Sequence, residues 1–407
     1  ISVKMKQLIL LFVILGCVYG EKFRYDNYSL YKVLPGNEKH IKVLQDLHNN
    51  DLSYDFWSDP HQKADFVSIL SSPEKKSELE KLTFQLEVCQ LEEKLFMSMR
   101  WDVYYNLPDI EAWLDDLVRA YPRIVGRIVG GRSYEGRNIT GIKISHGSGR
   151  KAIFIESAIH AREWIAPTTV CFIINELLTS NNAEIRAAAR DYDWYIFPVT
   201  NPDGYIYSHE SNRMWRKNRR PVANNNFGVD LNRNWNNNWL GASTNPATDI
   251  YAGPGPFSEP ETRSLSAYIR AMASDIEMYL SFHSFSQLLL LPFGNTTEPL
   301  ANYNDINIGR RAMGALSVRF GTQYVTGNIA EAIYMATGGS IDWVKEQLKI
   351  PLVYCYELRD RGEYGFLLPT DQILPNNQET MDSIIDIFLG LKYLFFSPHF
   401  DLKSETL

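Results

Sequence analysis

The sequence predicts an α/β fold: a mixed, mostly parallel sheet sandwiched by helices, preceded by a small α+β unit. Three observations carry this reading. Past residue 120, short and nearly continuous apolar runs recur, such as "KAIFIESAI" (151–159), as expected of strands buried on both faces. Helical stretches separate these runs, and strands alternating with helices build largely parallel sheets. Before residue 100 the texture differs. Strand-like pieces ("YSLYKVL", "DFVSIL") alternate there with charged helical ones ("EKHIKVLQDLHNN", "SSPEKKSELEKLTFQLEVC").

In chain order, "KMKQLILLFVILGCVYG" has two lysines, a short apolar run and small residues near Gly20. Residues 1–20 therefore read as a secretory signal peptide, and a secreted, extracellular protein is expected. The run falls short of the roughly 20 apolar residues that span a bilayer. Residues 21–100 form the α+β unit. Residues 101–407 form the main domain, opening with Pro108 and Asp109 at the head of an amphipathic helix. After the first buried strand, "WIAPTTVCFIINELL" reads as a helix that tolerates Pro167 in its first turn. "DWYIFPVTNPDG" is a second buried strand ending in a turn, "IEMYLSF" (276–282) a third and "IPLVYCYE" (350–357) a fourth. "SIIDIFLGLKYLFF" carries Asp386 and Lys392 and reads as an amphipathic helix packed on a core, not a membrane span. Arg100 lies at the change of texture, in either an ordinary linker or a proteolytic site.

Composition excludes several classes. Of 407 residues 45% are hydrophobic and 22% charged, the balance of a soluble globular protein. A net charge of −7 gives no footing for nucleic acid. Four cysteines in a chain of this size are no disulfide framework. Asn27, Asn138 and Asn295 each begin an N-x-[ST] triplet, so glycosylation is open. No membrane partner is expected, and a monomer is.

The chemistry starts from "IHAREW" (159–164), where His160 precedes Glu163 by three residues. By itself this spacing is most often a charged surface helix. Context changes the reading, because His160 sits just past the carboxyl end of a buried strand, where open α/β sheets bind ligands. His283 ends another such strand and Glu357 a third. His160, Glu163 and His283 make a His₂Glu set, which suits one catalytic zinc ion with a position left open. Asp230 is a candidate acceptor orienting a ligand histidine. Glu357 is the candidate proton shuttle. "RMWRKNRR" alone reads as a solvated basic loop.

Seven blocks then occur in order: "HAREW", "TNPDGY", "NRMWRKNR", "DLNRNW", "SFHSFSQ", "IYMATGGSIDW" and "ELRDRGEYGFLLP". Together they resemble the digestive zinc carboxypeptidases, the carboxypeptidase A/B family, and residues 21–100 resemble that family's activation propeptide. The resemblance implies a secreted zymogen, opened by a trypsin-like protease, that removes C-terminal residues from peptides and proteins. It implies that His160, Glu163 and His283 hold zinc and that Glu357 is the general base. It gives Arg219 the role of stabilising the oxyanion. Asn232 and Arg233 would clamp the substrate's terminal carboxylate, and Tyr334 would close over it. Arg162 and Phe366 would line subsites further up the peptide. Ile341 would floor the pocket for the terminal side chain, implying apolar or aromatic preference; basic-specific members carry aspartate there. Phe285 replaces a frequent tyrosine, which puts upstream contacts in doubt. Two other readings stay open: an inactive peptide-binding homologue, and a zinc deacylase, which would not need the clamp.

Overall fold

The computed structural model describes residues 29–33, 35, 37–51, 54–56, 67–85, 91–95, 99–298 and 303–396. The signal-peptide reading and Asn27 lie outside the described residues. The chain divides into two compact units, residues 1–98 and 99–407.

In the first unit, β1 (Ser29–Val33), β2 (Tyr54–Phe56), β3 (Val67–Ser71) and β4 (Leu91–Leu95) form a sheet in the order β2-β3-β1-β4. All of its pairings are antiparallel. Two helices join it, α1 (Glu38–Asn50) and α2 (Pro73–Gln85). α1 starts where Asn37 accepts from the His40 N–H at 3.0 Å, a side-chain cap for one of the helix's orphan donors. Tyr31, Val33, Leu44, Ile69 and Leu79 fill the core between layers. This is the α+β unit the sequence predicts.

The second unit holds an eight-stranded sheet. Its strands are β5 (Val125–Arg132), β6 (Asn138–Ile144), β7 (Ala152–Ser157), β8 (Asp193–Phe197), β9 (Ile276–Ser284), β10 (Leu288–Leu291), β11 (Val325–Asn328) and β12 (Leu352–Leu358). They lie in the order β11-β10-β12-β9-β7-β8-β6-β5. The four apolar runs seen in the sequence are β7, β8, β9 and β12. They form the centre of the sheet and pair in parallel. An antiparallel hairpin, β5–β6, and the short strands β10 and β11 extend it on either side. The fold class is the predicted one; the hairpin and short edges are additions to it.

Helices complete the unit: α3 (Leu107–Ala120), α4 (Ile165–Thr179), α5 (Ala183–Asp191), α6 (Pro202–Glu210), α7 (Pro260–Ala271), α8 (Tyr303–Phe320), α9 (Ile329–Ala332), α10 (Ser340–Leu348) and α11 (Ile373–Phe396). Leu265 and Ile269 of α7 and Trp343 and Val344 of α10 pack on one sheet face with Phe154, Phe197 and Tyr279. On the other, α4 and α11 are tied by a buried hydrogen bond from Thr169 to Asn377, and Tyr356 of β12 meets Ser383 of α11. Eleven of the fifteen residues of α4 are buried, because a helix that is apolar almost all round belongs in an interior. Among the described residues no helix is long and apolar enough to cross a membrane. Cys171 and Cys355 are buried and unpaired.

Candidate active site

The winding of the sheet reverses beside β7: β8 lies on one side of it, β9 and then β12 on the other. Parallel strands that diverge in this way leave a crevice at their carboxyl ends, where ligands bind. Main chain alone delivers three of the predicted residues there. His160 follows β7 after Ala158, whose φ of 49° is left-handed. That conformation costs a non-glycine residue about 1 kcal/mol and persists only where the surroundings enforce it. His283 lies near the end of β9, and Glu357 of β12 is its neighbour in register.

The side chains converge. His160 Nδ1 is 2.8 Å from Glu163 Oε1, and His283 Nδ1 is 3.0 Å from Glu163 Oε2. The two Nδ1 atoms lie 3.1 Å apart. Among the described residues this is the group of three or more potential ligand side chains that lies close enough to hold a metal, with its ligand atoms within 4.8 Å of one another. All three residues are buried. Two imidazole nitrogens aimed at each other over a buried carboxylate need a positive charge between them, so the donor set fits a cation. Two nitrogens and a carboxylate oxygen suit zinc.

Electrostatics agree. Asp230 Oδ1 lies 3.1 Å from His160 Nε2, so Nε2–H donates there and Nδ1 is left as the ligand atom. Burial and Arg216 both push the His160 ring toward its neutral form. Burial would raise the Glu163 carboxyl, yet the two imidazoles outweigh it and hold it well below the usual range. Burial opposes a charge on His283, but the Glu163 carboxylate overrides it and lifts the ring to about 9. A seated cation takes the place of that proton. Glu357 lines the cleft and is partly open to it. Its desolvated surroundings, with Glu163 adding and His283 opposing, push the carboxyl up to about 8.

The cleft holds about 280 Å³. Arg233 and Asn232 lie in it, positioned by the short turn Leu231–Arg233 that Asp230 caps. The Arg233 guanidinium donates to the Tyr334 hydroxyl at 2.8 Å. Asn232 Oδ1 accepts the Ser340 N–H at 2.9 Å, and the amide nitrogen lies 3.4 Å from His283 Nε2, leaving a second N–H for the cleft. Leu290, Ile329, Ala336, Ile341 and Cys355 give the cleft apolar walls. Arg162 lies over the Phe366 ring at 4.4 Å and pairs with Asp249. Phe285 packs edge-on against Phe366, so the ring that replaces tyrosine serves as a wall.

One sequence expectation needs amendment. Arg219 does not line the cleft. Its guanidinium is stacked against the rings of Tyr207, Trp215 and Phe227, 3.6, 4.6 and 4.9 Å away. Arg216 lines the cleft instead. The Ala161 N–H binds the Arg216 carbonyl at 3.0 Å and brings this loop beside "HARE". The Arg216 guanidinium then binds Asp230 Oδ2 through two nitrogens at 3.0 and 3.1 Å and lies 3.9 Å from Glu163. A loop with arginines at 213, 216, 219 and 220 has no periodicity that tells which one faces inward. Asp342 lines the cleft along with Ile341. Asp342 Oδ2 accepts the Gly294 N–H at 2.9 Å and Oδ1 has no partner among the described residues. Burial pushes this carboxyl up to about 7.

The comparisons identify the family. Residues 110–383 match the zinc carboxypeptidase family, and residues 31–88 match the carboxypeptidase activation peptide. Zinc carboxypeptidase A 1 of Drosophila melanogaster is 41% identical over 408 residues, covering 93% of this chain and 95% of its own. Carboxypeptidase B of Astacus astacus is 42% identical over 292 residues, covering 70% and 96%. The crystal structure of carboxypeptidase A from Helicoverpa armigera superposes with a TM-score of 0.67 at 28% identity, covering 90% and 98%. The chain belongs to the zinc carboxypeptidase family and carries that family's activation peptide. It is a zinc-dependent exopeptidase made as a zymogen.

Proposed function

We propose that the mature enzyme removes single apolar or aromatic residues from the free C-terminus of peptides and proteins, in the manner of an A-type carboxypeptidase. The observation that carries this reading is the position of Arg233 and Asn232 in the same cleft as the His160–Glu163–His283 cluster. A planar guanidinium grips a carboxylate with two parallel hydrogen bonds, so a cleft containing one selects chain ends over internal bonds. This clamp also favours the peptidase over a deacylase.

Bound zinc supplies Lewis acidity to the cluster. Glu357 accepts the proton of the attacking water and returns it to the leaving amine. Arg216, held by Asp230, faces the carbonyl oxygen as charge develops there, the part that resemblance had given to Arg219. Tyr334, already bonded to Arg233, covers the terminal carboxylate. Arg162 and Phe366 meet residues upstream of the scissile bond.

The apolar walls set the preference. A buried leucine or phenylalanine side chain gains roughly 1.5–3 kcal/mol, whereas a desolvated lysine head without a partner costs several kcal/mol. Those two terms predict at least about 100-fold selectivity. Burial raises the Asp342 carboxyl to about 7, so it gives up its proton less readily than an ordinary carboxylate and is a weaker counter-ion for a lysine. Residues 1–20 direct secretion, residues 21–100 are the activation peptide, and a trypsin-like protease cuts after the exposed Arg100 to release residues 101–407.

One experiment tests the reading. Trypsin-treated protein is offered N-blocked dipeptides ending in Phe, Leu, Lys or Arg, with a C-terminal amide as control. Release of Phe and Leu, sensitive to a chelator and absent for the amide, is expected. Comparable release of Lys would overturn the A-type assignment. Turnover of the amide would overturn the clamp. Full activity without trypsin would overturn activation at Arg100.

A further inference from the structure

Beneath the pocket, one register row crosses four strands. Glu156 of β7 pairs with Ser281 of β9, Ser281 with Cys355 of β12, and Cys355 with Leu290 of β10. Cys355 and Leu290 line the cleft, so this row continues its floor. Glu156 is therefore a carboxyl placed two strands beyond the pocket floor, inside the core, with no accessible surface.

Its bonding is lopsided. Oε1 accepts from the Ser281 hydroxyl at 2.5 Å, from Tyr279 at 3.3 Å and from the Ser340 hydroxyl at 3.4 Å. Oε2 is buried with no partner among the described residues. Burial pushes the group toward its neutral acid, while His283 and the three hydroxyls pull the other way. Leaving a buried oxygen unpaired opposes folding, and an apolar side chain of similar size would avoid the penalty. Natural chains break this rule chiefly where function needs the group.

The need is visible one bond further on. Ser340 is the first residue of α10 and directly precedes Ile341. Its hydroxyl reaches Glu156 while its backbone N–H occupies Asn232 Oδ1. An amide whose oxygen is already taken can present only its NH₂ end to an anion. We propose that Glu156 is a positioning residue for substrate binding: it anchors Ser340 from below, and Ser340 in turn fixes the Asn232 amide to meet the terminal carboxylate. This rests on the carboxylate clamp proposed above. Glu156 touches no substrate, and its effect belongs to binding, not to bond cleavage.

The test uses trypsin-treated, zinc-loaded protein and an N-blocked dipeptide ending in Phe. Glu156→Met removes the anchor while keeping the volume. KM is expected to rise about tenfold, the usual weight of one buried hydrogen bond, with kcat within about twofold and zinc content unchanged. The inhibition constant of free phenylalanine should rise by the same factor, because it binds through the same carboxylate. Glu156→Gln keeps an acceptor of the same shape and is expected to restore both values to within about twofold of the parent enzyme. Ser340→Ala cuts the chain at its other end and should reproduce the KM change, with no further loss in the double variant. An unchanged KM in folded Glu156→Met, a fall confined to kcat, or additive losses in the double variant would each overturn the proposal. If Glu156→Met does not fold, an unchanged KM in Ser340→Ala overturns it alone. Failure of the parent enzyme to release Phe sinks the proposed function instead.

Discussion

The two sides of the cleft treat a buried acid in opposite ways. On the metal side Glu163 lies between two imidazoles, which hold its carboxyl low despite complete burial. On the pocket side Asp342 has one backbone N–H and, among the described residues, no cation within bonding distance, and its carboxyl is pushed up to about 7. The difference teaches that burial alone does not decide the charge state; the partner does. One wall is built to concentrate charge around an ion. The other sets apolar side chains beside a carboxyl whose charge burial opposes, with Arg233 and Tyr334 in the same cleft.

The largest expected effect separates the ion holders from the proton carrier. Glu357→Gln should lower kcat by on the order of 1,000-fold, within the usual range for a lost general base, and leave zinc bound. Glu163→Gln should lose zinc as well as activity, because it replaces a charged ligand with a neutral one. Metal analysis beside kinetics decides between them. Equal zinc loss in both variants would contradict the division of roles.

Next in size is the contrast between two arginines three residues apart. Arg216→Ala should cost on the order of 100-fold or more in kcat, as for other lost oxyanion donors. Arg219→Ala should leave kcat within a few-fold and lower the melting temperature instead, since its guanidinium only stacks on three rings. A reversed pattern would restore the role that resemblance gave to Arg219.

These two arginines also mark where the sequence stops being legible. The central strands were readable because they are nearly continuous apolar runs, and the residues ending them were readable for the same reason. His160, His283 and Glu357 follow from the runs and a rule about strand ends. The β5–β6 hairpin was not readable. Its first strand, "VGRIVGGR", carries three glycines and an irregularity between Val129 and Gly131 that breaks the two-residue alternation. β10 and β11 are only four residues long. In "RMWRKNRR" the choice of inward arginine depends on one backbone bond to Ala161, a contact between distant segments that no local pattern encodes. Glu156 was hidden because "IFIESAI" reads simply as a strand, and only pairing with β9 reveals what its carboxyl faces.

A smaller effect sharpens the comparison through pH. Asp342 titrates near 3.8 in the unfolded chain and near 7 in the folded one, so the folded state binds the extra proton between those values. Stability contributed at low pH is therefore lost as pH rises from about 4 toward 7. Asp342→Asn removes that dependence and can still accept the Gly294 N–H. Relative to the parent, the variant should gain on the order of 2 kcal/mol between pH 5 and pH 8, somewhat less than the full shift at about 1.4 kcal/mol per unit. Thermal unfolding at the two pH values checks it. A constant difference would mean that Asp342 is already ionised at pH 5 and the pocket wall is charged.

The smallest expected effect lies at the pocket entrance. Tyr334 is 51% exposed, and its hydroxyl bonds the Arg233 guanidinium at 2.8 Å. A hydrogen bond to a charged group can be worth about 1.5–3 kcal/mol when buried, but the phenol here is half exposed and open to water, so about 0.5–1 kcal/mol is expected. Tyr334→Phe should thus raise KM about two- to fivefold and barely change kcat. The ring stays in place to cover the carboxylate, and Arg233 regains a water in place of the phenol. Glu357→Gln should do the reverse, lowering kcat with little change in KM. Measured together, the two variants separate binding at the pocket entrance from proton transfer beside the ion. A kcat loss approaching 100-fold in Tyr334→Phe would place the phenol in the chemistry and erase the distinction between the two walls.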